Sequence, residues 1–158
     1  MANIFNAAEI IDMGITKEKK RRDFYGLAAK SFKQKDMKEL FSKLRDWEEQ
    51  HIKKFSAIRD TLEESEVTET YKGEFELYMK AASDDLLYNQ VSPGEFANNV
   101  KTPLDALAYG MSFEKDAIIF FNELLGYMEP AHRDKIIELL NEEKKHLIFL
   151  FELKKKYR

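Results

Sequence analysis

A glutamate and a histidine three residues apart occur twice in this chain inside apolar stripes at helical spacing, as Glu48/His51 and Glu143/His146. Each pair is preceded, at nearly the same interval, by a lone glutamate in another such stripe: Glu18 before the first, Glu114 before the second. Residues three apart share a helix face, so each pair can grip one object from one side. A buried, unpaired carboxylate carries a penalty on the order of several kcal/mol even after relaxation, so four cannot converge in a core without cations. Two divalent metals match four carboxylates in charge, and neutral imidazoles complete the shells. Glu18, Glu48, His51, Glu114, Glu143 and His146 are therefore the expected ligand set of a dinuclear centre inside a four-helix bundle.

The periodicity supplies the four helices. The first is expected from about Asn6 to Phe32, with Ala8, Ile11, Ile15, Glu18, Tyr25 and Ala29 on one face. A break at 34–36 leads to a second helix running to about Glu64, striped by Leu40, Leu44, Glu48, His51, Phe55 and Ile58. Thr102-Pro103 opens a third as N-cap and first-turn proline, with Leu107, Met111, Glu114, Phe121 and Leu125 inward. Pro130 opens the fourth, with Ile136, Leu140, Glu143, His146, Leu150 and Leu153. Residues 65–102 read as irregular, with Ser92, Pro93 and Gly94 among the breakers. Phe75, Tyr78, Met79, Ala82 and Leu86 predict a short amphipathic helix within that stretch. Short links inside each helix pair make antiparallel hairpins, and the long link permits a crossover. The expectation is an all-α chain, one domain over 1–158: a four-helix bundle of two hairpins with one long connection.

Composition narrows the function classes. A net charge of −3 gives no electrostatic reason to expect nucleic acid. The basic runs at 17–22 and 154–158 read as solvated helix faces or tail. With no cysteine, disulfides and thiolate metal sites are excluded from this chain. No apolar run reaches the ~18 residues of a membrane helix and no signal peptide is evident, so a soluble, cytoplasmic protein without a membrane partner is expected.

A lone Glu-x-x-His is a weak signal, because Glu129 and His132 form a third. Pro130 lies inside that pair at a helix start, which marks it as a surface or capping feature. Arg21 and Arg22 follow Glu18 closely enough to offer a salt-bridge reading for that glutamate. Trp47, Phe41, Phe55, Phe120 and Phe149 read as packing residues. Tyr25, two turns beyond Glu18, either packs or bonds a ligand carboxylate through its hydroxyl, and is the candidate catalytic-site residue beyond the ligands. Carboxylate and imidazole ligation suits iron, with manganese or zinc as alternatives.

With these residues placed, the chain resembles the ferritin-like superfamily, and within it the rubrerythrin-type di-iron proteins. The resemblance rests on Glu18 with Phe24-Tyr25, on Trp-Glu-Glu-Gln-His at 47–51, on Phe-Glu-Lys-Asp-Ala at 113–117 and on Asn-Glu-Glu-Lys-Lys-His at 141–146. It implies a ferritin-like fold holding two iron ions. Glu48 and Glu143 would bridge them, with Glu18, Glu114, His51 and His146 as terminal ligands. It also implies reduction of hydrogen peroxide or oxidation of ferrous iron by oxygen, commonly in a homodimer. The chain departs from full rubrerythrins in lacking a cysteine-ligated rubredoxin domain, so the electron donor is expected to be external, or iron itself. It departs again at Ala117, where rubrerythrins carry a further glutamate. Three functions are consistent with this reading: a di-iron oxidoreductase, an iron-storage protein of ferritin type, and a helical scaffold whose metals only hold the fold.

Overall fold

The computed structural model describes residues 7–62, Leu77, Ala81 and residues 92–158. Five α-helices are present among them: α1 (Ala7–Ser31), α2 (Lys35–Thr61), α3 (Pro93–Asn99), α4 (Pro103–Leu124) and α5 (Pro130–Lys156), with a 3-10 turn over Leu125–Tyr127. The four long helices start and stop close to where the apolar stripes predict, and no strand occurs among the described residues. None of these helices is long and apolar enough to cross a membrane. The amphipathic stripe of Phe75, Tyr78, Met79, Ala82 and Leu86 lies outside the described residues.

Local chemistry explains the helix starts. Thr102 caps α4 with a complete capping box: its hydroxyl accepts from the Asp105 amide, and Asp105 accepts from the Thr102 amide. One expectation fails nearby. Ser92, Pro93 and Gly94, read from sequence as breakers, open α3, with Ser92 Oγ accepting from Glu95 N at 3.3 Å and proline in the first turn. The serine–proline pair is a helix-start signature, and that local chemistry outweighs the low propensity of proline and glycine. Phe96 and Val100 then dock this short element onto the bundle, with the Phe96 ring edge-on to Phe24 at 5.2 Å.

α1 packs along α2, and α4 along α5; α1 also meets α4, and α2 meets α5. Among the described residues the apolar core forms two clusters. One joins Phe24 and Tyr25 of α1, Phe41 and Leu44 of α2, Phe113 of α4 and Leu150 of α5. The other joins Ile10 and Ile11 of α1, Phe55 and Ile58 of α2, Phe121 and Leu124 of α4, and Ile136 and Leu139 of α5. The early half of α1 therefore lies with the late halves of α2 and α4 and the early half of α5, as antiparallel neighbours require. Each fully buried aromatic or aliphatic side chain contributes about 1.5–3 kcal/mol, so the two clusters clamp whatever lies between them. At the far end of the molecule, Asp36 at the start of α2 accepts from Tyr157 Oη at 2.5 Å and pairs with Lys156, tying down the end of α5.

Thr102→Ala removes one half of the capping box and should lower stability by about 1 kcal/mol, or about 2–4 °C in melting temperature. An unchanged thermal unfolding midpoint would show that the cap contributes nothing.

Candidate metal centre

Between the two apolar clusters the helices turn polar residues inward. Glu18 comes from α1, Glu48 and His51 from α2, Glu114 from α4, and Glu143 and His146 from α5. The four glutamates and His51 are fully buried and His146 is 4% exposed. All six predicted site residues thus meet in one layer, each placed there by the same helical spacing that builds the stripes.

They form two overlapping groups, Glu18/Glu48/His51/Glu143 and Glu48/Glu114/Glu143/His146, with candidate ligand atoms within 4.8 Å of one another in each. Glu48 and Glu143 belong to both, and each turns one carboxylate oxygen toward each histidine. Glu48 Oε2 lies 3.7 Å from His51 Nδ1, and Oε1 lies 3.5 Å from His146 Nδ1. Glu143 Oε1 lies 2.6 Å from His51 Nδ1, and Oε2 lies 3.3 Å from His146 Nδ1. Glu18 approaches only His51, at 3.7 Å, and Glu114 only His146, at 3.8 Å. The imidazoles are nearly parallel, with centroids 5.5 Å apart. Both present Nδ1 to the carboxylates.

Many of these buried atoms have no hydrogen bond among the described residues: Glu18 Oε2, both oxygens of Glu48 and of Glu143, Glu114 Oε2, and Nδ1 of both histidines. Close approach without aligned hydrogen bonds is what a ligand set looks like when its geometry serves something at its centre. Oxygen and imidazole donors in two four-residue groups fit two divalent cations.

The electrostatics point the same way. Burial pushes Glu48 and Glu114 well above the usual carboxylate range, and the charge of Glu143 adds to it. Burial also raises Glu18 and Glu143, but is outweighed in both. Arg21 holds Glu18 below its usual value, and close contact with the Glu114 carboxyl, together with the neighbouring imidazoles, holds Glu143 well below. Burial lowers the histidines, yet the carboxylates around them win: His51 is raised well above its ordinary value and His146 to about 9. The protein alone therefore retains protons that cations would displace.

Several neighbours complete the site. Tyr25 Oη donates to Glu114 Oε1 at 2.5 Å, so the tyrosine bonds a site carboxylate as well as packing. Arg21, 1% exposed, donates to Glu18 Oε1 at 2.5 Å and brings Nε within 3.6 Å of Glu48 Oε2. Arg22 turns outward to Glu49 at 2.8 Å, so the two adjacent arginines divide the roles sequence left open. Glu142, unremarked in sequence, meets His51 Nε2 at 2.6 Å and is drawn down to about 2 by that contact. Trp47, read from sequence as packing, stacks on His146 at 4.9 Å with rings 8° from parallel. Phe149, also read as packing, is 43% exposed beside Trp47. His132 stays outside both groups, its Nε2 3.4 Å from Thr61 Oγ1, and Glu129 at the start of α5 makes no side-chain cap.

The chain is similar in fold to a crystal structure described as a ferritin-like diiron-carboxylate protein from Thermotoga maritima, at 20% identity, with a TM-score of 0.71 and all of both chains covered. No curated protein matches it. The family model of Rubrerythrin matches residues 9–154, nearly the whole chain, and the protein belongs to that family.

Proposed function

We propose that the cluster holds two iron ions and that the protein is an oxidoreductase reducing hydrogen peroxide or dioxygen with electrons from a separate donor. The observation that carries this reading is the bridging posture of Glu48 and Glu143, each offering one oxygen to each histidine side. The ferritin-like diiron-carboxylate relative supports the choice of metal. Reduction of hydrogen peroxide breaks the O–O bond, consumes two electrons and two protons, and yields two waters. A ferrous pair, when bound, supplies one electron from each ion.

The chain's own residues set the conditions for that reaction. Two divalent ions balance four glutamates, and Arg21 adds one positive charge that the simple four-against-two count omits. A site with one excess positive charge favours a substrate that gathers negative charge as it is reduced. Tyr25 holds Glu114 by its hydroxyl and keeps that carboxylate from swinging. The apolar clusters on both sides exclude water, which strengthens every charge interaction within. A surface pocket of about 450 Å³, lined by His146, Trp47, Glu142 and Lys54 among others, lies on the His146 side of the layer and is where a small oxidant would approach. With no cysteine in the chain, the electrons come from elsewhere.

Anaerobically purified protein should carry about two irons per chain and develop a near-ultraviolet band on adding one equivalent of peroxide, with both lost in Glu143→Ala. Zinc alone, silent to peroxide even after ferrous reconstitution, would favour a scaffold role; a large hollow particle would favour iron storage.

A second outcome follows from the crowding of buried carboxylates. Glu48→Gln mimics the protonated carboxyl that burial imposes and removes the cost of taking up that proton on folding, so the metal-free protein should gain roughly 1–2 kcal/mol, about 2–8 °C in melting temperature, while losing metal affinity. Thermal unfolding in chelator decides it: a lower melting temperature would show that the chain alone compensates its acids.

A further inference from the structure

The two histidines hold equivalent places in the sequence repeat, yet their outer edges meet different chemistry. The residue just before each shared glutamate, Trp47 in α2 and Glu142 in α5, crosses to the histidine of the other hairpin. Trp47 lays its indole flat on His146. Glu142 instead takes His51 Nε2 into a hydrogen bond of 2.6 Å. Stacking on an indole fixes a ring plane but leaves both ring nitrogens alike. A carboxylate at Nε2 gives the outer nitrogen a fixed acceptor and holds the ring so that Nδ1, turned to Glu18, Glu48 and Glu143, is the nitrogen offered to a cation.

We infer that Glu142 is a positioning residue: through His51 it orients and strengthens one metal seat, Glu18/Glu48/His51/Glu143, and leaves the seat of Glu114 and His146 untouched. The inference rests on the dinuclear reading above. Arg21 acts on the same seat in the opposite sense, drawing Glu18 Oε1 to its guanidinium at 2.5 Å. The effect of Glu142 is therefore visible by changing Glu142, rather than by the order in which the two seats fill. Lys54 also pairs with Glu142, at 3.2 Å on the oxygen that His51 does not use. This offers a rival role for the glutamate as an ordinary exposed ion-pair partner, 37% exposed as it is.

The test is a cobalt(II) titration of metal-free protein, followed by visible absorption with a competing chelator to obtain both stepwise constants. Wild type should bind two cobalt ions per chain. Glu142→Ala should weaken one constant by about 10–100-fold and leave the other within a few-fold. Glu142→Gln, whose amide oxygen still accepts from Nε2, should recover much of the loss, and Lys54→Met should match wild type. Unchanged constants in Glu142→Ala, equal weakening of both, or a glutamine variant no better than alanine would each overturn the assignment of Glu142 while leaving the dinuclear centre standing. A wild type that binds fewer than two cobalt ions would overturn both.

Discussion

Four buried carboxylates, two imidazoles and a guanidinium share one layer in the middle of this bundle, and the rest of the structure is organised around keeping them there. Left to themselves, charges in such a layer would repel and push the helices apart. The apolar clusters above and below oppose that with the burial of large side chains such as Phe24, Phe41, Phe55 and Phe121. The chain therefore places stability at its two ends and chemistry at its centre. Capping at Thr102, the docking of Phe96 and the ties from Asp36 to Tyr157 and Lys156 all lie away from the acid layer.

Within that layer the pseudo-two-fold order of the ligands is not matched by their supports. Glu18 is held by a cation and Glu114 by a phenol, through bonds of the same 2.5 Å length. Ala117, three residues after Glu114, stands in the repeat where Arg21 stands after Glu18. Ala117 is fully buried in apolar company, so the layer gains neither a fifth acid nor a second arginine there. On the dinuclear reading proposed above, ligands set in such dissimilar surroundings would give two seats of unlike affinity and charge. That arrangement suits a centre whose two ions do different work.

The four long helices and the six inward residues were legible because helical periodicity fixes both at once: a glutamate in an apolar stripe is assigned to the core along with its neighbours. Tyr25 was legible as one of two alternatives, and the structure shows it doing both. Arg21 reads from sequence as a local partner of Glu18 and is hidden in a basic run, although its spacing from Glu18 and Tyr25 puts all three on one face. Its reach to Glu48 on the next helix is a tertiary fact that α1 alone does not contain. Glu142 was harder still. It sits beside a core glutamate on a half-exposed edge, and its partner His51 lies on the opposite hairpin. α3 is hidden for a different reason: Pro93 and Gly94 carry the signature of a break, and only Ser92 ahead of them marks a helix start.

On the proposed reading the layer is built around two metal ions rather than around shared protons and Arg21. Anomalous diffraction at the iron absorption edge, from crystals of iron-loaded protein, tests it most directly. Two peaks are expected, one among Glu18, Glu48, Glu143 and His51 Nδ1, the other among Glu48, Glu114, Glu143 and His146 Nδ1. Iron-loaded crystals with no anomalous density in this layer, and the carboxylates bonded only to one another and to Arg21, would contradict it.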